Sequence, residues 1–419
     1  MAKLEQLIAE LCPNGVEYRM LTDIVISVNI GINPRKFFKL NPIDATGFYV
    51  TVRELNGLKG VFQHGKTDLI NADAIKTINN RANIEKDDIL FSNTGTVGKM
   101  ALVLETPDNW GINEGIYAIK PQQKIIMPKF LYYYLTGQEA YNDYSSKFTG
   151  STLKHVTQRA LASIPVPIPP MQVQSEIVHI LDNFTELTAE LTAELTAELT
   201  ARKKQYEYYR DELLTFGDDV HVVKFGEAAK IVRGASPRPI RNFITNTSDG
   251  VNWIKIGDIA VGEKYVTETR EKITKEGASK SRLVQKGDFI LSNSMSFGRP
   301  YILAIDGYIH DGWLSISGFS DKYISDFLYH LISSNRIQKE MEQKASFGGA
   351  VQNLNADIVK SLDFPLPSLY EQQRIVDILD KFDALTTDIS AGLPAEIEAR
   401  QKQYEYYRDK LLTFKEKVA

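Results

Sequence analysis

With 419 residues, 43% of them hydrophobic and 24% charged, the chain is long enough for two ordinary globular domains plus extended helices. A single cysteine, Cys12, excludes an intramolecular disulfide and argues against a cysteine metal site, and no segment reads as a signal peptide or as a bilayer-crossing run, so the expectation is a soluble, cytoplasmic protein. The net charge of −4 looks unsuited to a nucleic-acid binder until it is divided: residues 1–163 carry 18 basic and 16 acidic side chains and residues 217–361 carry 19 and 17, so the acidity lies in the stretches that follow each of them.

In chain order, MAKLEQLIAELCPNGVEYRML opens with a short amphipathic helix that Pro13-Asn14-Gly15 stops. Phe48 to Val52 is aromatic and β-branched, Asp88 to Ser92 leads into a polar turn, and Lys99 to Leu104 resumes an apolar run, all strand-like. GVFQHGKT, from Gly60 to Thr67, satisfies the phosphate-loop pattern G-x-x-x-x-G-K-[ST]. The candidate strand ends well before Gly60, however, Val61 and Phe62 suit a phosphate-wrapping loop poorly, and the second half has no such motif near Ala260 to Tyr265, so a surface hairpin is expected. The tyrosine-rich Phe130 to Leu135 reads as a buried helix or strand. Ile164 to Pro170 is extended, since each proline disfavours helix in the residue before it.

Between Met171 and Phe216 there is no Gly or Pro, and the middle reads FTELTAELTAELTAELTARKKQYEYYRDELLTF. TAEL tetrads starting at Thr188, Thr192 and Thr196 repeat near one helical turn, which sets Leu187, Leu191, Leu195 and Leu199 on one side of a helix of roughly 70 Å. Such a rod cannot bury its stripe on itself. The segment from Ile164 to Phe216 recurs 198 residues later: KQYEYYRDELLTF returns as KQYEYYRDKLLTF at Lys402 to Phe414, and QSEIVHILDNF from Gln174 returns as QQRIVDILDKF from Gln372. Leu385, Ile389, Leu393 and Ile397 keep the four-residue spacing at the same offset, so two copies of one helix are expected to pack their stripes together. Ser368 and Glu371 form an S-x-x-E capping box, and Gly392 with Pro394 predicts a break and a restart.

The globular segments repeat more loosely. KGDFILSNSMSFGRPYIL from Lys286 matches KDDILFSNTGTVGKMALV from Lys86, aligning Ser92-Asn93 with Ser292-Asn293, Gly98 with Gly298 and Lys99 with Arg299. Each is a small polar turn ending in Gly and a basic residue, which suits a phosphate contact but, taken alone, more readily suits a hairpin whose Ser and Asn satisfy their own backbone. Tyr206, Tyr208 and Tyr209, with Tyr404, Tyr406 and Tyr407, read either as a partner surface or as packing at the rod's far end; their near-identity between copies favours a shared task. The six histidines are scattered singly without metal-ligand spacing, and neither an N/D-P-P-Y/F run nor a G-x-S-x-G elbow occurs. No catalytic centre is legible.

A globular segment, a TAEL-bearing helix ending in RKKQYEYYRDELLTF, a second globular segment and a helix ending in ARQKQYEYYRDKLLTF, with the opening ELCPNGVEYRML, together resemble the DNA-specificity subunit of a type I restriction-modification system, in the TAEL-repeat (type IC-like) branch. TAEL occurs three times in the first helix and not in the second. The resemblance implies an α+β protein: two α/β target-recognition domains, residues 1–163 and 217–361, joined by two long conserved helices, 164–216 and 362–419, packed as an antiparallel coiled coil with an internal pseudo-two-fold repeat. It further implies a non-catalytic subunit whose heads each read one half of a bipartite asymmetric target in double-stranded DNA, while the helices set the spacer and dock two methyltransferase subunits. Those partners would carry S-adenosylmethionine, and motor-nuclease subunits would use ATP and Mg; no cofactor, metal or membrane is implied for this chain. DNA-facing candidates are Ser92, Asn93, Thr94, Thr96, Lys99, Lys147, Ser151, Lys154, Ser292, Asn293, Ser294, Ser296, Arg299, Gln352 and Asn353. Docking candidates are Gln205, Tyr206, Tyr208, Tyr209, Arg210, Gln403, Tyr404, Tyr406, Tyr407 and Arg408. Two other readings are a coiled-coil scaffold whose heads bind protein and a nucleotide-dependent enzyme built on Gly60 to Thr67.

Overall fold

The computed structural model describes residues 2–34, 37–150, 153–259, 263–293, 297–346, 354–387 and 392–417. The chain divides into two compact units, residues 1–192 with 399–419 and residues 193–398. Neither unit is a continuous half of the sequence repeat. Each combines one globular segment with the start of the helix that follows it and with the QYEYYRD-bearing end of the other copy's helix.

In the first unit, strands Val25–Ile30, Ile116–Pro121, Ile89–Ser92 and Met100–Leu102 form an antiparallel sheet in that order. Ile89 to Ser92 is buried throughout because both faces of the sheet are covered. Leu90, Ala101 and Ala118 pack with Ile75 and Ile78 of helix Ala72–Ala82. Ile89, Phe91 and Ile119 pack with Phe130, Leu131 and Tyr134 of helix Pro128–Leu135, and with Val173, Ile177 and Leu181 of the long helix Met171–Leu213. A second sheet, Leu69–Ile70, Gly47–Val50 and Trp110–Ile112, lies beside Ala72–Ala82. The proline-spaced entry forms strand Pro165–Ile168, paired with Glu17–Met20, and Val16 binds the chain end through Lys415 and Lys417 at 2.8 and 2.9 Å.

The second unit repeats this plan with larger sheets. One orders Lys230–Arg233, Trp313–Ser317, Phe289–Ser292, Pro300–Leu303 and Tyr265–Val266; the other orders Ile244–Thr245, Glu271–Ile273, Val251–Ile254, Gly307–Ile309 and Arg282–Val284. Val222–Lys224 pairs with Asp363–Pro365 at the helix entry. The second long helix is interrupted as the sequence predicts: Leu369–Thr387 precedes Leu393–Leu412, whose first turn holds Pro394. Ser368 Oγ accepts from the Glu371 amide at 3.2 Å, but the Glu371 carboxylate turns to Arg374 at 2.6 Å, so only half of the expected capping box forms.

In the first unit the two helices run antiparallel, with Phe184 against Tyr407 at 6.1 Å and Thr185 Oγ1 3.0 Å from the Tyr404 hydroxyl. Leu187 and Leu191, expected to meet another leucine stripe, line an open groove of about 440 Å³ with Arg400, Gln403, Tyr404 and Tyr407. In the second unit Leu195, Leu199 and Ile397 are half-buried and Leu393 is buried. Ile389 and the side chain of Leu385 lie outside the described residues.

One buried side chain pins each long helix to its head in the same way. Gln174 accepts from the Met127 amide at 2.8 Å and donates to the Ile125 and Pro169 carbonyls at 3.0 and 2.8 Å. Gln372 accepts from the Ile324 amide at 2.8 Å and donates to the Lys322 and Pro367 carbonyls at 2.9 and 3.0 Å. Both are fully buried, so Gln174→Leu and Gln372→Leu each leave an amide and two carbonyls short of a partner at nearly constant bulk. Each substitution is expected to destabilise its own unit by about 2 kcal/mol in urea denaturation. A loss under about 0.5 kcal/mol would show that the pin contributes no more than a surface contact does.

Candidate nucleic-acid interface

The polar turn after Ile89–Ser92 is built from the inside. Ser92 and Asn93 are fully buried: Ser92 Oγ donates to the Thr96 carbonyl at 2.5 Å and accepts from the Lys99 amide at 2.8 Å, while Asn93 Nδ2 donates to the Glu114 carbonyl at 3.1 Å. Gly98 holds φ at +88°, and a Cβ there would stand 2.3 Å from the Tyr144 hydroxyl. The second head repeats the arrangement: Ser292 and Asn293 are buried, Asn293 Nδ2 donates to the Asp311 carbonyl at 2.8 Å, and Gly298 has φ of +70°. These four side chains therefore shape the turn from within and are turned away from solvent, whereas the candidates beside them are more open.

The outward groups are others. Thr96, Lys99 and Arg299 are exposed, and Lys99 Nζ reaches the Arg53 carbonyl at 3.4 Å. Thr94 is half-buried, 2.9 Å from His155 Nδ1. Lys147 is tied down by Asp143 at 2.5 Å and Ser163 Oγ at 3.0 Å, whereas exposed Lys154 stands 5.7 Å over the Phe148 ring. Ser151, Ser294, Ser296, Gln352 and Asn353 lie outside the described residues.

In each head an acidic residue that sequence reasoning missed joins this turn to the loop after the sheet's first strand. Glu114 accepts from Asn33 Nδ2 at 2.5 Å and from the Tyr49 hydroxyl at 3.4 Å. Asp311 accepts from Ser236 Oγ at 2.6 Å and from Arg238 Nη2 at 2.9 Å, while its carbonyl takes Arg233 Nε at 3.0 Å. The Ser236 hydroxyl above all, with a backbone bond and the Arg238 guanidinium adding to it against partial burial, holds the Asp311 carboxyl below its ordinary value. Beside it, burial pushes the His310 imidazole down, so the neutral ring accepts from the Gly312 amide at 2.8 Å between Trp253 and Trp313. The overlooked signal was a second internal echo, GINPR at 31–35 against GASPR at 234–238, together with an acid-Gly pair after a strand, Glu114-Gly115 and Asp311-Gly312.

The phosphate-loop lookalike is a hairpin, as expected. Leu55 bridges Val61, and the Phe62 amide binds the Glu54 carbonyl at 2.9 Å. The buried Glu54 carboxylate accepts from the Thr51 amide, the Thr51 hydroxyl and the Thr67 hydroxyl at 2.8, 2.6 and 2.8 Å. Burial alone would raise its pKa, but these bonds outweigh burial and the net shift is downward. Thr67, which a phosphate loop needs for a metal, is thus committed to Glu54, and the next helix begins only at Ala72.

The tyrosine segments sort into inward and outward members. The Tyr206 hydroxyl lies 3.0 Å from His330 Nδ1, and Tyr404 lies against Thr185 as described above. Arg210 and Arg408 hold Asp211 and Asp409 at 3.3 and 2.8 Å. Asp211 and Asp409 in turn accept from the amides of Asn335 and Gln138, the first residues of helices Asn335–Ser346 and Gln138–Ser146. Tyr209 stacks on Phe382 at 5.7 Å. Tyr208 and Tyr406 are 64% and 62% exposed, and Gln403 is exposed while Gln205 is half-buried. Among the described residues no group of three or more His, Cys, Asp or Glu side chains could hold a metal ion, and no helix is long and apolar enough to cross a membrane.

A family model described as the type I restriction modification DNA specificity domain matches residues 13–201 and 217–399. A protein of Haemophilus influenzae named "Putative type I restriction enzyme specificity subunit" is 36% identical over 310 residues, covering 72% of this chain and 76% of that protein. The Escherichia coli type I restriction enzyme EcoR124I/EcoR124II specificity subunit is 34% identical over 301 residues, covering 68% and 70%. A chain in a solved structure concerned with complex assembly and conformational transition of the type I restriction-modification system superposes with a TM-score of 0.69 at 17% identity, covering 96% of this chain and 98% of that one. That last likeness speaks to the fold: mixed α and β, with two heads and long helices.

Proposed function

The chain belongs to the DNA-specificity subunits of type I restriction-modification systems, non-catalytic subunits that recognise DNA sequence, and from that premise we propose that each head reads one half of a bipartite target. The observation that carries this reading is the pair of pseudo-equivalent loop clusters centred on Glu114 and Asp311, one per head, each holding a glycine-rich polar turn against the loop after the sheet's first strand, which in the second head brings Arg233 and Arg238 to Asp311. Loops of this kind suit phosphate oxygens and base edges. Different side chains at matching places suit two different half-sites. S-adenosylmethionine, ATP and Mg belong to partner methyltransferase and motor-nuclease subunits in this reading, and the complex works on cytoplasmic DNA.

For the methyltransferase subunits we assign the outward faces of the two tyrosine segments. Exposed aromatic side chains that stand ready-made on helices make good interface anchors. Their inward neighbours already have packing roles, so Tyr208 and Tyr406 are the discriminating pair. Tyr208→Ala with Tyr406→Ala is expected to cut co-purification of the methyltransferase subunit at least tenfold while the melting temperature stays within a few degrees. Full recovery of the complex would remove these tyrosines from the interface.

The TAEL tetrads serve in this account as a ruler. Four residues add about 6 Å of rise and about 400° of rotation, leaving a residual twist near 40°, whereas one base pair of B-DNA rotates roughly 34–36° and rises about 3.4 Å. The twist matches one base pair better than the rise does, and an insertion of four keeps the leucines near one face. Deleting Thr196 to Leu199 is expected to leave both half-sites intact and to shorten the unread spacer by one base pair in genome-wide maps of methylated adenine. Deleting only Thr196 and Ala197 rotates the following stripe by about 200° and should abolish assembly. An unchanged spacer after the four-residue deletion would eliminate the ruler.

A further inference from the structure

Arg238 is the most exposed ion-paired arginine of the second head's loop cluster, and it is held in place. Its side chain is 80% exposed, yet Nη2 bonds Asp311 Oδ2 at 2.9 Å. The other oxygen of Asp311 takes the Ser236 hydroxyl at 2.6 Å, which fixes the carboxylate that in turn orients the guanidinium. Pro237 and Pro239 flank the residue, and each has its φ fixed by its ring. A guanidinium has five donors in a rigid fork, so one bond to Asp311 leaves an edge turned to solvent. An exposed ion pair of this kind contributes little net energy, so the arginine loses little by sharing its charge with a second anion.

The stretch of chain that carries Arg238 is basic. Residues 228–248 contain four basic side chains, Lys230, Arg233, Arg238 and Arg241, and no acidic one. Lys230, Arg233 and Arg241 are all exposed. The loop sits hard against the acid-Gly segment, where a Cβ at Gly234 would stand 2.0 Å from the His310 carbonyl oxygen. The first head packs its loop in the same way, with a Cβ at Gly31 standing 2.2 Å from the Asn113 carbonyl oxygen. The order Gly-x-x-Pro-Arg is thus kept at corresponding places in two heads whose other loop residues differ; Arg35 itself lies outside the described residues. Two heads that read different bases on one duplex share only the sugar-phosphate backbone, so what they keep in common suits phosphate and not a base edge.

We propose that Arg238, oriented by Asp311 and Ser236, is a phosphodiester clamp that sets the register of the second head on DNA without reading sequence. The inference rests on the DNA-reading function proposed above. Its test uses the full chain in complex with its methyltransferase subunits, and duplexes carrying the target found by methylation mapping of the wild-type protein. Affinity is measured across a salt series for wild type, Arg238→Ala and Arg238→Lys, and methylated sites are mapped for each. Arg238→Ala is expected to weaken binding to target and to unrelated duplex by similar factors, to reduce the slope of log affinity against log salt by about 0.9, and to leave the methylated motif unchanged. Arg238→Lys keeps a point charge and should restore most of the slope. Relaxation of one base pair in the second half-site at constant slope would overturn the proposal in favour of base reading, and unchanged affinity and slope would overturn it outright. Failure of the wild-type complex to prefer any duplex would instead remove the DNA-reading function on which the clamp depends.

Discussion

A helix of 43 residues with an apolar stripe and a polar remainder cannot bury that stripe alone, and each compact unit covers part of it with the other copy of the repeated helix while Leu187 and Leu191 stay at an open groove. Each compact unit draws on both copies of the repeated helix. In the first, Phe184 and Thr185 meet Tyr407 and Tyr404; in the second, Tyr209 stacks on Phe382 and Tyr206 reaches His330. The exchange gives the RD dipeptide of each copy a structural task, capping a helix of the unit it enters through Asp409 or Asp211. Packing and capping thus constrain the inward members of the two QYEYYRD segments, while Tyr208 and Tyr406 are mostly exposed, edge-on to the rings of Tyr209 and Tyr407.

The heads carry a different constraint. A loop that is to keep one geometry must have its own polar groups satisfied within the fold, and the buried Ser-Asn pairs do this at Ser92-Asn93 and Ser292-Asn293. Glu114 and Asp311 extend the same logic to the neighbouring loop. What is shared between heads is this scaffold; what differs is the identity of the side chains it carries, Asn33 and Tyr49 on one carboxylate, Ser236 and Arg238 on the other. The resident charges also explain why a net-acidic chain is no obstacle, since acid-free stretches such as residues 228–248 sit within a head while the helices hold the excess of carboxylates.

Much of the architecture was legible because it depends on periodicity and on backbone chemistry. The TAEL spacing, the proline-spaced entry and the Gly392-Pro394 interruption map onto Met171–Leu213, Pro165–Ile168 and the restart at Leu393. The hairpin at Gly60 was legible because Val61 and Phe62 cannot wrap a phosphate. What escaped was long-range. Which copy of QYEYYRD packs on which head is a tertiary choice that two near-identical segments cannot reveal, and the Gln174 and Gln372 pins look like ordinary surface glutamines until their helices are docked. At Ser92 and Asn93 the sequence offers both a ligand-facing loop and a turn that satisfies its own backbone, and only the fold shows that the two side chains are buried in the turn. The carboxylate hubs were missed because Glu114 and Asp311 differ in type and are joined to their partners only through the fold.

The central claim is that one head reads one half-site. It is tested most directly by replacing residues 217–361 with the corresponding segment of the Haemophilus influenzae relative and mapping methylated adenines across the genome of cells carrying the hybrid. The account predicts a target that keeps one half and the spacer while the other half takes a new sequence. A hybrid that assembles and methylates with both halves changed, or with neither changed, would contradict it.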